Sequence, residues 1–246
     1  RMIGGAGEQL SLQTLHVFNN TGDISINNNT GRGINLQSPD SDLYIDLTDI
    51  DGGDAAMSIT AQQEGIRAFV SGAGAGNVDI TLTNGTVSSV VAEAIEARSG
   101  TGNVSVALGE AVLSGGATGV HATTAGSGTV DVTATGGSIT GGATYFALSA
   151  GASTGDVTID LGGAAVNGGG GINVTTDGNV SVTSGGVITT TDGTMAGIRA
   201  DGDGSGVTVT QTGAVNSAGN GIHATGGAGG VTVTANNVTS TGGTAI

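Results

Sequence analysis

A unit of about 25 residues recurs along most of this chain, and a repeat of that length leaves few folds open. Its clearest marker is Gly-Ile-x-Ala, as in Gly65-Ile66-Arg67-Ala68, Gly197-Ile198-Arg199-Ala200 and Gly221-Ile222-His223-Ala224. Ala94-Ile95-Glu96-Ala97, Gly119-Val120-His121-Ala122 and Gly171-Ile172-Asn173-Val174 are variants of it. Tyr145-Phe146-Ala147-Leu148 fills the remaining gap with bulkier residues, and the sequence ends on Ala245-Ile246. Positions 66, 95, 120, 146, 172, 198, 222 and 246 are then 29, 25, 26, 26, 26, 24 and 24 residues apart.

Each unit carries a second element about a dozen residues later, an alternating apolar pair. The pairs are Val78/Ile80, Val104/Val106, Val130/Val132, Val157/Ile159, Val180/Val182, Val207/Val209 and Val231/Val233. Alternation of β-branched and polar residues predicts a strand with one buried face. A third short element follows at Val87, Val112, Ile139, Val166, Val187, Val215 and Val238. Turn signals such as Gly76-Asn77, Gly102-Asn103, Gly155-Asp156 and Gly178-Asn179 stand before the pairs, where Gly and Asn tolerate positive φ.

No segment is long enough, or has the 3.6-residue period, for helices between these strands. Three short strands per 24–29 residues predict an all-β fold, a single-stranded right-handed parallel β-helix in which each coil stacks on the next. About ten coils at ~4.8 Å would make a rod roughly 45–50 Å long. The 50 glycines of the 246 residues are then corner residues. The 2% aromatic content suits a core too thin for large rings. Residues 65–246 carry the regular repeat. Residues 1–64 read as irregular amino-terminal coils with a longer loop near residues 38–42. Ile246 falls in mid-repeat without a polar cap, so the chain is expected to continue beyond it.

Charge and composition exclude several functions. Five arginines and no lysine stand against 20 acids, a net charge of −15, so a nucleic-acid partner is not expected and an acidic lipid surface would repel the chain. Cysteine is absent, which removes disulfides and suits export through an oxidising space. No secretory signal and no membrane span is visible.

Gly-Ile-x-Ala, Gly-Asn-Val-x-Val-Thr and Gly-x-Val together resemble the passenger region of bacterial autotransporters. Residues 206–224, Gly-Val-Thr-Val-Thr-Gln-Thr-Gly-Ala-Val-Asn-Ser-Ala-Gly-Asn-Gly-Ile-His-Ala, are especially similar. Filamentous haemagglutinin-type exoproteins share such coils. The resemblance covers residues 65–246 well and 1–64 loosely. It implies export, a β-helical stalk on the bacterial surface and a carboxyl-terminal outer-membrane barrel, which is absent from this sequence.

The outward position of the marker gives one candidate ladder face: Arg67, Glu96, His121, Ala147, Asn173, Arg199 and His223. It reads either as a recognition stripe or as a solvated strand face whose exposed Arg67–Glu96 pair contributes ~0–1 kcal/mol. His16, His121 and His223 lie too far apart in a rod to share a metal. Asp40, Asp42, Asp46, Asp49, Asp51 and Asp54 crowd 15 residues. Asp49, Asp51 and Asp54 around Gly52-Gly53 are candidate calcium ligands, without the EF-hand spacing. Asp201-Gly202-Asp203-Gly204-Ser205 is a shorter echo. No cofactor is otherwise expected.

Asp79 and Asp131 share an outward file two coils apart, at the edge of an inverting glycosidase geometry. Neither lysine nor tryptophan is present to support them, so the chain is expected not to be an enzyme. A carbohydrate-active hydrolase or lyase is the alternative, and the threonine pairs Thr208/Thr210 and Thr232/Thr234 raise a third, ice binding. The expected role is a structural stalk. Its expected partners are host or bacterial surface ligands, or like chains associating laterally or end to end.

Overall fold

The computed structural model describes residues 14–16, 25–47, 57–71 and 73–246. Every described element is a strand, 24 in all, and every pairing between them is parallel. The chain is a right-handed parallel β-helix of about seven coils. That is fewer than the ten obtained by dividing length by period, because the face-one strands run only from Ile34 to Gly226, in seven steps of which the first, Ile34 to Ile66, takes 32 residues.

Three faces build each coil. Face one is an eight-stranded sheet running from Ile34–Ser38 through Ile66–Val70, Ile95–Ser99 and Val120–Thr124 up to Ile222–Gly226. Face two contains Leu43–Leu47, Val78–Leu82, Val104–Leu108 and the strands above them. Face three contains Ser58–Ala61, Thr86–Ser89, Val112–Ser114 and their successors. Near the top, the single strand Val207–Ser217 crosses the corner between faces two and three with a bulge between Gln211 and Ala214. The two faces thereby join into one 16-stranded sheet.

Inward files of Val, Ile, Leu and Ala from all three faces form one continuous core. The apolar pairs occupy face two as the alternation requires, with Val78, Val104, Val130, Val157, Val180, Val207 and Val231 in register. Face three differs at two places. Leu113 and Ile188, not Val112 and Val187, align with Val87, Ile139 and Val166 in the core. Val112 and Val187 point outward, each 46% exposed. Two adjacent apolar residues satisfy a sequence pattern equally well, and only pairing with the neighbouring coils selects the inward one.

Glycine works differently from expectation. Among the described residues only Gly85, Gly137, Gly162 and Gly230 take positive φ, and no asparagine does. At Gly85 (φ +97°) and Gly137 (φ +75°) the chain turns sharply into face three. Elsewhere the constraint is close approach. The glycine opening each marker is pinned between a face-three methyl group and a carbonyl of the next coil. A Cβ on Gly33 would lie 2.5 Å from both Gly65 O and Ile59 Cγ2.

The Asn signals act through their side chains. Asn77 Oδ1 accepts from Asn103 N (2.9 Å), and Asn103 Oδ1 accepts from Thr129 N (2.9 Å). Asp42 begins the same file by accepting from Asn77 N (2.7 Å), and Asp156 accepts from Asn179 N (2.8 Å). Each carbonyl or carboxylate thus satisfies a corner amide one coil away, where the strand ladder cannot reach it. Buried hydroxyls serve the other side of this corner, as Ser99 Oγ donates to Gly76 O (2.7 Å) and Thr176 Oγ1 to Gly155 O (2.6 Å).

Candidate functional site

The marker's outward residues stand in one file on face one: Asn35, Arg67, Glu96, His121, Ser149, Asn173, Arg199 and His223. One place differs from the sequence expectation. Ser149, not Ala147, faces outward, because Leu148 pairs with Val120 and Ile172. Ala147 is fully buried and continues the glycine file, one position before the core leucine.

A second outward file, not recognised in the sequence, runs beside the first through Gln37, Phe69, Arg98, Thr123, Gly151, Thr175, Asp201 and Thr225. The signal for it was available: strand alternation makes the residue two beyond each marker's outward position point outward as well.

The two files meet in a charged cluster low on face one. Arg67 Nε lies 2.6 Å from Glu96 Oε2, and Arg98 Nη1 lies 3.3 Å from Glu96 Oε1. Glu96 is 7% exposed and the Arg67 side chain 13%, so this is not the exposed pair that the sequence suggested. The Arg67 guanidinium also lies 4.6 Å from the Phe69 ring centroid and donates to Asn35 Oδ1 at 3.4 Å. Arg98 covers the same ring at 5.9 Å. On the turn below, Arg32 Nε sits 2.7 Å from Glu64 Oε2 but poorly aligned; the aligned bond runs from Nη2 to Oε1 at 3.3 Å.

His121 sits above Glu96 with Nδ1 3.9 Å from Glu93 Oε1. Burial holds its pKa below the ordinary 6.5, the Arg98 charge adds to that, and Glu96 opposes it. The imidazole is therefore neutral at pH 7. Burial pushes the Glu93 carboxyl above its ordinary 4.5.

The two groups act on stability with opposite signs. Below pH 6.5 the unfolded chain takes up the histidine proton before the folded one, so acidification costs stability down to the folded pKa of His121. Glu93 holds its proton more tightly when folded, which offsets part of that loss as the pH approaches 4.5. His121→Asn is expected to flatten the decline of the urea midpoint between neutrality and the Glu93 range. A decline of unchanged slope would show that the histidine does not set it.

Higher on the face, Arg199 Nη2 approaches Asp201 Oδ2 at 3.5 Å on its own strand. His223 is its vertical neighbour, four coil steps above His121, about 19 Å away. Asp177, Asp201 and Asp203 line an open depression of about 340 Å³ with Ala152, Ser153, Thr175 and Thr176. The candidate calcium ligands Asp49, Asp51 and Asp54 lie outside the described residues. Among the described residues no three His, Asp or Glu side chains are placed to hold a metal ion.

On face two, Asp79, Ser105 and Asp131 are successive outward residues, so the two carboxylates point the same way from a sheet. They do not face each other across a groove, as opposed catalytic carboxylates would. Gly151-Ala152-Ser153-Thr154-Gly155 spells Gly-x-Ser-x-Gly, but it joins two strands, Phe146–Gly151 and Val157–Asp160. The nucleophile turn that uses this pattern leads from a strand into a helix.

Among the described residues no helix is long and apolar enough to cross a membrane. No protein family, curated protein or solved structure matches the chain.

Proposed function

We propose that the chain is a stalk segment of an exported bacterial surface protein, of the kind the autotransporter resemblance implies. Its work is reach and presentation, with adhesion to surface ligands, or association with like chains, through the outward files. A carboxyl-terminal outer-membrane barrel would be the anchor in this reading.

The observation that carries the adhesive part is the two-file surface of face one. It is unbroken over eight strands and holds the half-exposed guanidiniums of Arg98 and Arg199, each 46% exposed. Repeated weak contacts along one rod add through effective concentration, so such a surface needs no deep pocket. Neutral and acidic surface glycans offer the hydroxyls and carboxylates that guanidinium forks bind.

The test coats beads with the purified chain and measures retention on glycan arrays and on cultured host cells. The double variant Arg98→Ser, Arg199→Ser is expected to lose about tenfold in retention, as exposed arginine anchors do. Equal retention of variant and wild type would remove face one as the adhesive surface. Release of reducing ends from a polysaccharide, abolished by Asp79→Asn or Asp131→Asn, would move the chain to the carbohydrate-active alternative.

A further inference from the structure

The fold sorts charge by face. All four described arginines, Arg32, Arg67, Arg98 and Arg199, lie on face one or on the turn entering it, as do His121 and His223. Face two carries Asp46, Asp79, Asp131 and Asp160 in its outward files, with His16 paired beside Asp46, and among the described residues no arginine. Among the described residues the strands of face three carry no charged side chain. Its two outward files run nine strands high, from Ser25 and Asn27 to Asn237 and Thr239. The second of them contains only Ser, Thr and Asn, among them Ser114, Thr140, Asn167 and Thr189. Val112 and Val187 add exposed apolar surface to the first.

We infer that face three is the surface through which two copies of this chain pack side by side. This deepens the self-association part of the function proposed above and is independent of its adhesive part. Two chains of net charge −15 repel each other, and contact through face three brings no formal charge of one copy against the face of the other. Face two against face two would oppose carboxylates directly. Two properties favour a second copy over a different partner. Both surfaces repeat at the same ~4.8 Å rise, so their hydroxyl and amide files stay in step over the full height. A two-fold axis in the contact plane makes the face its own complement.

Size sets the strength. Nine strands at ~4.8 Å and about 10 Å of width present roughly 400 Å² per copy, half the ~800 Å² of a standard interface. The association is therefore weak and concentration-dependent. The face is bordered by Glu110 on one edge and by Glu64, Glu93 and Asp192 on the other. Salt screens that acidic border, so association strengthens as salt rises.

Sedimentation velocity over a concentration series at low and high salt tests this. Wild type is expected to self-associate more strongly at high salt. The near-isosteric double variant Asn167→Asp, Asn216→Asp, two steps apart in one file, is expected to weaken association at least about tenfold. The control Ser181→Asp, Thr232→Asp adds the same charge at the same spacing on face two, in the file that already accepts Asp79 and Asp131. It is expected to change association by less than about threefold. Circular dichroism checks that each variant keeps its strands. A wild type that stays monomeric at every salt, or a control that loses as much as the face-three variant, overturns the inference while leaving the bead-retention result to stand or fall separately. Association that weakens with salt also overturns it, in favour of face one docking on face two.

Discussion

Gly171→Val is expected to unfold the coils around it rather than merely loosen them. A Cβ at Gly171 would run into the Gly197 carbonyl of the next coil and lie 2.6 Å from Ile188 Cγ2 on face three. Neither can move freely. The carbonyl accepts from Ile172 N in the interstrand ladder, and Ile188 is fully buried. One surplus carbon in a packed core costs about 1–3 kcal/mol, and valine adds two more, so a loss above about 3 kcal/mol is expected. Stacked coils stabilise one another chiefly through nearest neighbours, so the damage should spread up and down the rod before it dies away. Hydrogen exchange should show protection lost first on face-one strands 170–176 and 198–202. Gly193→Ala supplies the contrast: its nearest neighbour is 3.9 Å away, and a change within about 0.5 kcal/mol is expected. Equal unfolding midpoints for the two variants would refute the close-approach account of the glycine file.

Glu96→Gln is the second large effect. Glu96 is the common acceptor for Arg67 and Arg98, and it is the more buried partner of the Arg67 pair. Removing its charge leaves the Arg67 guanidinium largely shielded from water without its carboxylate. Breaking a fully buried pair costs about 3–5 kcal/mol; here the Arg67 side chain keeps 13% exposure, Asn35 and the Phe69 ring, so about 2–3 kcal/mol is expected. The double replacement Arg67→Met, Glu96→Met should recover most of that loss, because the desolvation of both charges is removed together. Urea unfolding of Arg67→Met, Glu96→Met and the double variant makes a thermodynamic cycle, with Glu96→Gln measured beside it. A double variant less stable than Glu96→Gln would mean that the pair's attraction outweighs the desolvation of its two charges.

The coil was legible because its signals are local. Alternation in Val104-Ser105-Val106 determines which side chains face inward whatever lies above or below, and Gly102-Asn103 marks the corner before it. The period located the ladder Arg67, Glu96, His121, Asn173, Arg199 and His223, and the structure stacks those residues in register. Where two apolar residues adjoin, the local signal was ambiguous. At Tyr145-Phe146-Ala147-Leu148 the repeat spacing points to Phe146, two residues before the true core position, because Phe146 resembles the core residue as well as Leu148 does. The ladder decides for Leu148, which leaves Ala147 in the glycine file and Ser149 outside.

Winding into stacked three-strand coils around a thin aliphatic core is written in the amino-acid order alone, since alternation and glycine spacing are properties of short segments. The burial of Glu96, the close approach of a neighbouring coil to most glycines, and the gathering of the described arginines on face one while face three stays uncharged exist only in the folded rod. Each depends on what stands one coil above and below. With partner separations from 22 residues (Val166 to Ile188) to 35 (Leu43 to Val78), hydrogen bonding between coils, not residue counting, chooses those neighbours.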